Sequence, residues 1–212
     1  MKKQYAIFDL DGTLLDSMYA WKHLGQNYLL SRGIVPPKNL RDILKEQTLE
    51  ESAEYFKTQL GIPESTEQIL AGIHQLIAKE YSENIPPKPF VCEYLKKLHK
   101  EKQTLCIATA TPAELAVSAL KRLELNHFFS FVLDCSEAGN GKNSPDIYLL
   151  AAERMGADVE DCVVYEDTLH AARTAKKAGF QVVGVKDRSS LYDAEQLKKL
   201  CDRFIVSYSE LI

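Results

Sequence analysis

Short, uninterrupted apolar runs are the feature of this sequence that most constrains its fold. Runs of this length, without alternating polar residues, are typical of strands buried on both faces of a parallel sheet. Segments with helical periodicity separate them, so we predict an α/β fold: a doubly wound, mainly parallel, Rossmann-like sheet. Strands are predicted at 5–8, 105–108, 162–165 and 182–185, with weaker candidates at 129–133 and 204–206.

Helix start and stop signals lie between the predicted strands. Thr111 is followed by Pro112 and, three residues on, by Glu114. This order predicts a capping box, in which the threonine side chain and the glutamate side chain bind backbone N–H groups reciprocally. Two further helices are predicted over 144–155 and from about 168 to 179, each with a glycine at its end.

The segment between residues 16 and 86 departs from this alternation. It contains three stretches of helical periodicity and no strand-like run, and a stiff Pro-Pro-Lys-Pro linker at 86–89 follows it. We therefore predict two domains. One is an α/β core of residues 1–15 and 87–212, and the other is an inserted helical cap of residues 16–86, a common way to build a lid.

Composition excludes several classes of protein. The 212 residues are 45% hydrophobic and 26% charged, which is ordinary for a globular protein. A net charge of −4 without a basic block argues against nucleic-acid binding, and no apolar run approaches the roughly 18 residues of a membrane span. Five scattered cysteines without a CxxC pair favour neither disulfides nor zinc. We expect a cytoplasmic protein that is a monomer or a weak homodimer.

The strongest functional signal is the segment Asp-Leu-Asp-Gly-Thr that directly follows the first predicted strand. In an open α/β sheet the ligand crevice lies at the carboxyl ends of the strands. Residues two apart in an extended segment point the same way, so we expect Asp9 and Asp11 to project together. Two carboxylates this close repel each other unless a cation lies between them or one holds a proton.

This segment resembles the DxDGT motif of the haloacid dehalogenase-like superfamily, and the other three motifs of that family follow in order. Thr109 ends the second predicted strand, Lys142 stands in GKNSPD with Asn143 in place of the usual proline, and Glu166 and Asp167 follow a strand as an acidic pair. The resemblance covers nearly the whole chain. A helical cap between the first two motifs resembles the phosphoglycolate phosphatase-like and β-phosphoglucomutase-like branch.

The resemblance implies the catalytic roles. Asp9 is expected to be the nucleophile that forms an aspartyl-phosphate, and Asp11 the general acid/base. Mg²⁺ is the expected cofactor, bound by Asp9, by the backbone carbonyl of Asp11 and by Asp167, with Glu166 in support or bound through water.

The resemblance also implies how a phosphoryl group is held. Thr109 and Lys142 are expected to bind the phosphoryl oxygens, where negative charge needs stabilisation during transfer. The backbone N–H groups of Leu10 and Ala110 are expected to assist. A small phosphorylated metabolite is therefore the expected partner.

The cap carries weaker signals. In capped relatives the lid selects the substrate, so Trp21 and Lys45 are candidate contacts, although Trp21 is equally consistent with a packed bundle core. The mutase branch typically carries a histidine twelve residues past the nucleophile and an arginine in a cap loop. Here position 21 is tryptophan, and residues 43–52 contain no arginine. These departures favour a phosphatase over a mutase.

Together these features predict a Mg²⁺-dependent phosphatase that acts on a small phosphomonoester. Two alternatives stay open at this point. A sugar phosphomutase would use the same intermediate and return its phosphate to a sugar, and a catalytically silent binding module would use the same scaffold. The joint presence of the family residues argues against the silent module. These residues are Asp9, Asp11, Thr109, Lys142 and Asp167.

Overall fold

The computed structural model describes residues 3–44 and 47–212. They divide into two compact units, which we describe separately. One unit comprises the residues up to Ser17 together with Ile85–Ile212, and we call it the α/β unit. The other comprises Met18–Asn84, and we call it the helical unit.

The described residues form a six-stranded parallel sheet in the order β3-β2-β1-β4-β5-β6. This order places the first strand in the middle, with the chain winding outward first to one side and then to the other. The predicted doubly wound parallel sheet is confirmed. The strands are β1 Tyr5–Phe8, β2 Thr104–Thr109, β3 Val132–Asp134, β4 Cys162–Glu166, β5 Gln181–Val185 and β6 Arg203–Ile205.

The helices cover both faces of the sheet or form the helical unit, and short 3₁₀ and π turns connect some of them. The α-helices are α1 Met18–Ser31, α2 Leu40–Leu44, α3 Leu49–Gln59, α4 Thr66–Lys79, α5 Val91–Lys100, α6 Ala113–Arg122, α7 Cys135–Ala138, α8 Asp146–Met155, α9 Leu169–Lys177 and α10 Ala194–Leu200.

The core of the α/β unit explains why the apolar runs are uninterrupted. Every residue of β4 is buried, and Ala6, Ile7 and Phe8 of β1 are 0% exposed. A strand covered on both faces needs apolar side chains at successive positions rather than at alternate ones. The weaker strand candidate at 129–133 is only partly confirmed. The observed strand, β3, covers Val132–Asp134, and the 3₁₀ turn Asn126–Phe128 ends just before residue 129.

The predicted capping box at Thr111 is wrong. Helix α6 begins at Ala113, and the backbone N–H of Ala113 donates to Asp134 Oδ2 at 2.8 Å. The Thr111 hydroxyl instead donates to Asp11 Oδ2 at 2.6 Å. Hydrogen bonds to ionised carboxylates are roughly twice as strong as neutral ones, so the carboxylates of two other elements outcompete the local cap. By contrast, α8 ends as predicted at Gly156, which adopts a positive φ of 66°.

A stacked pair of aromatic rings lies in the core of the helical unit. Tyr28 of α1 and Phe56 of α3 lie with ring centroids 5.9 Å apart and an interplanar angle of 7°. Ile69 and Ile73 of α4 are buried in the same unit. From Met18 to Asn84 the described residues contain helices and turns without a strand, as the periodicity predicts.

None of the helices formed by residues 3–44 and 47–212 combines the length and the apolar character needed to cross a bilayer.

We expect Phe56→Ala to destabilise the helical unit by about 3–5 kcal/mol, since it removes a buried ring and leaves a cavity beside Tyr28. Urea unfolding followed by helical circular dichroism measures this loss. Lys57→Ala, which changes the exposed neighbouring side chain, serves as the control. Equal unfolding free energies for the two variants would contradict the prediction.

Candidate active site

The sheet order brings the predicted motifs to one edge. β1 lies between β2 and β4, and all three strands run parallel, so their carboxyl ends meet there. Asp9 directly follows β1, Thr109 is the last residue of β2, and Glu166 is the last residue of β4, with Asp167 next. Residues far apart in the chain thereby come together on the central strands.

Three carboxylates form a compact buried cluster at this edge. Asp9, Glu166 and Asp167 each offer an oxygen that lies within 4.8 Å of the oxygens offered by the other two. Within the described part of the chain, Asp9 Oδ2 and Asp167 Oδ2 are buried without a hydrogen-bond partner. Carboxylate oxygens are the ligands that Mg²⁺ prefers. The unpartnered buried oxygens and the oxygen-only donor set therefore fit a hard divalent cation.

Lys142 supplies a positive charge to this cluster. Its ammonium is buried and donates to Asp9 Oδ1 and, at 2.6 Å, to Glu166 Oε1. Burial opposes the charge on this lysine, but the two carboxylates outweigh burial and raise the pKa of Lys142 above its ordinary value. The lysine therefore stays protonated at neutral pH.

One ammonium does not balance three carboxylates. Burial, together with the nearby Glu166, raises the pKa of Asp9 to about 6, although Lys142 works in the opposite direction. Burial, followed by Asp9 and Glu166, raises the pKa of Asp167 well above its ordinary value. Both pKa values rise because the carboxylates are buried away from water and lie close to other negative charges. A divalent cation bound between them would lower these pKa values.

Two hydroxyls orient the carboxylate of Asp11. Ser17 Oγ donates to Asp11 Oδ1 at 2.5 Å, and Thr111 Oγ1 donates to Asp11 Oδ2 at 2.6 Å. Sequence reasoning missed both partners. The sequence does contain a signal for Thr111, since this residue lies two positions after Thr109 and therefore near the same edge of the sheet. Its local neighbours match a helix cap, and that pattern points away from Asp11.

Three of the predicted phosphoryl-binding residues lie at the ends of β1 and β2. Thr109 is buried, and its Oγ1 accepts a hydrogen bond from the Thr111 backbone N–H at 3.0 Å. Leu10 is buried and Ala110 is exposed. Their place at the strand ends is consistent with the predicted role, which stays a prediction.

Three further features of this edge complete the picture, of which only Gly12 belongs to a motif recognised in the sequence. The Tyr148 hydroxyl donates to Glu166 Oε1 at 2.7 Å. Lys88 and Asp187 form an ion pair of 2.8 Å. Gly12 has a φ of 82°, and a Cβ there would lie 2.8 Å from Asp167 Cγ, so this turn requires glycine both for its conformation and for its close approach to the carboxylate.

Of the two candidate cap residues, Trp21 and Lys45, the structure describes only Trp21. Trp21 is half-buried within the helical unit, where its indole N–H donates to the Tyr81 hydroxyl at 2.9 Å. This contact is consistent with packing in that unit, and the substrate contact of Trp21 stays a prediction. Lys45 lies outside the described residues.

Comparisons with known proteins identify the family. The family model described as haloacid dehalogenase-like hydrolase matches residues 6–185. The chain therefore belongs to the haloacid dehalogenase-like hydrolases, and the predicted family is confirmed.

The chain is similar to several curated members of this family. A phosphorylated carbohydrates phosphatase from Thermotoga maritima is 30% identical over 179 residues. The match covers 82% of this chain and 81% of the relative's chain. Fructose-1-phosphate phosphatase YqaB from Escherichia coli is 27% identical, with 88% and 99% covered. β-Phosphoglucomutase from Bacillus subtilis is 28% identical, with 89% and 86% covered.

Solved structures share the fold. A Thermotoga maritima structure described provisionally as a β-phosphoglucomutase has a TM-score of 0.84 at 28% identity, and the match covers 97% of this chain and 94% of that one. The structure of CbbY from Rhodobacter sphaeroides in complex with phosphate has a TM-score of 0.75 at 20% identity, with 99% and 96% covered. The second similarity concerns the fold alone.

We expect Asp167→Asn to raise the melting temperature of the metal-free protein at pH 7. A carboxyl whose pKa is raised in the folded state binds its proton more tightly there than in the unfolded chain. The wild type therefore loses stability as pH rises above the ordinary aspartate pKa of about 4. Scanning calorimetry in chelator, from pH 7 down to 4, should show the difference shrinking towards acid.

Asp161→Asn, at an exposed aspartate, serves as the control for this prediction. Adding Mg²⁺ should raise the melting temperature of the wild type and of this control, but not that of Asp167→Asn. An Asp167→Asn variant that melts below the wild type at every pH would contradict the prediction.

Proposed function

We propose that this haloacid dehalogenase-like hydrolase is a Mg²⁺-dependent phosphatase that hydrolyses a small phosphomonoester through an aspartyl-phosphate on Asp9. One observation carries the proposal: a buried ammonium joins Asp9 to Glu166 beside Asp167. The proposed nucleophile, a buried cation and a set of oxygen donors suited to a metal therefore lie together at one edge of the sheet.

The first step forms the aspartyl-phosphate. A carboxylate oxygen of Asp9 attacks the phosphorus of the substrate, and the bond from phosphorus to the alcohol oxygen breaks. The electron pair leaves with the alcohol oxygen, which takes a proton from Asp11. The Lys142 ammonium, already placed against Asp9, stabilises the negative charge of the phosphoryl oxygens.

The second step releases phosphate. Water attacks the phosphorus of the aspartyl-phosphate and gives a proton to Asp11, and the bond between phosphorus and the Asp9 oxygen breaks. Inorganic phosphate leaves, and Asp9 is again a carboxylate. Ser17 and Thr111 hold the Asp11 carboxylate in one orientation, which favours proton transfer because a general acid/base must lie within hydrogen-bond reach.

The residues that would hold Mg²⁺ are Asp9, Asp167 and the backbone carbonyl of Asp11, with Glu166 in support. When bound, Mg²⁺ neutralises phosphoryl charge and favours ionised Asp9. The raised pKa values of Asp9 and Asp167 support this assignment, because they indicate a cluster short of positive charge.

We assign residues 1–15 and 87–212 as the catalytic core and 16–86 as the cap that selects the substrate. The helical unit Met18–Asn84 is inserted after the first strand and its motif, which supports this assignment. A phosphorylated sugar is the favoured substrate class, because relatives are named as phosphatases of phosphorylated carbohydrates and of fructose 1-phosphate.

A sugar phosphomutase is the second candidate function. The similarity to the β-phosphoglucomutase of Bacillus subtilis favours it. Tryptophan at position 21, where the mutases typically carry histidine, argues against it. The products distinguish the two, since a phosphatase releases inorganic phosphate and a mutase yields an isomeric sugar phosphate.

We expect the wild type with Mg²⁺ to release inorganic phosphate from at least one member of a panel of sugar phosphates, phosphoglycolate and nucleotides. Asp9→Asn should abolish turnover with the fold intact, because an amide is a poor nucleophile, and chelation should silence the wild type. Phosphate release measures all three effects, and circular dichroism checks the fold of Asp9→Asn. Turnover retained by Asp9→Asn would refute the nucleophile, and full activity in chelator would refute the metal requirement.

We expect Asp11→Asn to lower kcat by about 10²–10⁴-fold, the usual contribution of a general acid/base. Steady-state kinetics on the best substrate of the panel measures the loss, with Asp161→Asn as an exposed control. A kcat within twofold of the wild type would remove the proton-transfer role from Asp11.

A further inference from the structure

Tyr148 makes a hydrogen bond that the proposed reaction does not use. It is the third residue of α8, it is 0% exposed, and its hydroxyl donates to Glu166 Oε1 at 2.7 Å. The neighbouring residues Ile147, Ala151 and Ala152 pack into the apolar core of the sheet. The hydroxyl therefore reaches out of a packed helix face into the carboxylate cluster.

The acceptor of this bond is shared with Lys142. Glu166 Oε1 accepts from the Lys142 ammonium at 2.6 Å and from the Tyr148 hydroxyl. The same ammonium also donates to Asp9. Tyr148, Glu166, Lys142 and Asp9 thus form one continuous chain of hydrogen bonds that starts in the core and ends at the nucleophile.

The ring of Tyr148 has little freedom to move. It makes a T-shaped contact with the ring of Phe180, with centroids 6.2 Å apart, and Lys142 Nζ lies 5.8 Å from its centroid. The other oxygen of Glu166 has a weaker contact, since Thr168 Oγ1 lies 3.4 Å from Oε2. The rigid donor that fixes the direction of the Glu166 carboxylate is therefore the tyrosine.

The orientation of the Glu166 carboxylate affects Lys142, because the Lys142 ammonium donates to both Glu166 and Asp9. A Glu166 carboxylate free to rotate would draw Lys142 with it and change how the ammonium lies against Asp9. It would also alter the spacing of the three carboxylates whose oxygens lie within 4.8 Å of one another. Groups that hold metal-binding residues in place commonly govern metal affinity.

We propose that Tyr148 is a positioning residue whose hydroxyl holds Glu166, and through Glu166 the Lys142 ammonium, in the arrangement that Mg²⁺ needs at Asp9 and Asp167. This proposal rests on the proposed function, since it concerns the same metal site. It assigns Tyr148 no contact with substrate.

Tyr148→Phe tests the proposal, because it keeps the buried ring and removes only the hydroxyl. We expect about 10–100-fold weaker Mg²⁺ binding, the usual cost of losing such a partner. Calorimetric titration of the metal-free protein with MgCl₂ alone measures the affinity. The Mg²⁺ concentration needed to raise the melting temperature should increase by the same factor.

Tyr94→Phe is the matched control. Tyr94 is a buried tyrosine of the same unit, and its hydroxyl bonds to Tyr165 rather than to a carboxylate. We expect this variant to bind Mg²⁺ like the wild type. If Tyr148→Phe also binds Mg²⁺ like the wild type, Tyr148 is a packing residue and the proposal is wrong. Should Tyr148→Phe fail to fold, Tyr148→Met, which also lacks a donor and adapts to irregular core space, carries the same prediction.

A double-mutant cycle tests the route through Glu166. In a Glu166→Gln background, Tyr148→Phe should cause no further loss of Mg²⁺ affinity. Losses that multiply independently would overturn the route. A wild type that neither binds Mg²⁺ nor releases phosphate would overturn the proposed function together with this inference. A wild type that does both, beside an unaffected Tyr148→Phe, would overturn this inference alone.

Discussion

The charge of Lys142 is the constraint on which the rest of the site depends. This ammonium is buried and is shared by Asp9 and Glu166, next to the carboxylate of Asp167. Removing the cation of a buried ionic network leaves its carboxylates uncompensated and is strongly destabilising. The cluster therefore restricts what its neighbours can be, from the glycine that approaches Asp167 to the tyrosine that binds Glu166.

The sheet supplies the precision that such a cluster requires. Asp9 directly follows β1 and Glu166 ends β4, and these adjacent parallel strands are almost entirely buried, so ladder hydrogen bonds and packing fix the backbone there. Sites built on strands hold their geometry better than sites built on loops. Lys142 comes from a loop before α8, and its two carboxylate partners hold its ammonium in place.

Sequence reasoning found the acidic motifs and missed the groups that orient them. Asp9 and the pair at 166–167 were recognisable because each directly follows an apolar strand-like run. Thr111 was misread as a helix cap, since its local neighbours match a capping box, whereas its partner Asp11 lies 100 residues away. Tyr148 resembled an ordinary core residue, because nothing in its own helix indicates that its hydroxyl meets Glu166.

By itself the sequence determined the fold class, the order of the strands along the chain and the family, because apolar periodicity and short motifs are local properties. Only the tertiary structure decided that Lys142 is shared between two carboxylates, that two hydroxyls hold Asp11, and that Tyr148 anchors Glu166. The physical reason is that hydrogen bonds and Coulomb interactions act over a few ångströms of space. The separation of two residues along the chain carries no information on that distance until the sheet has formed.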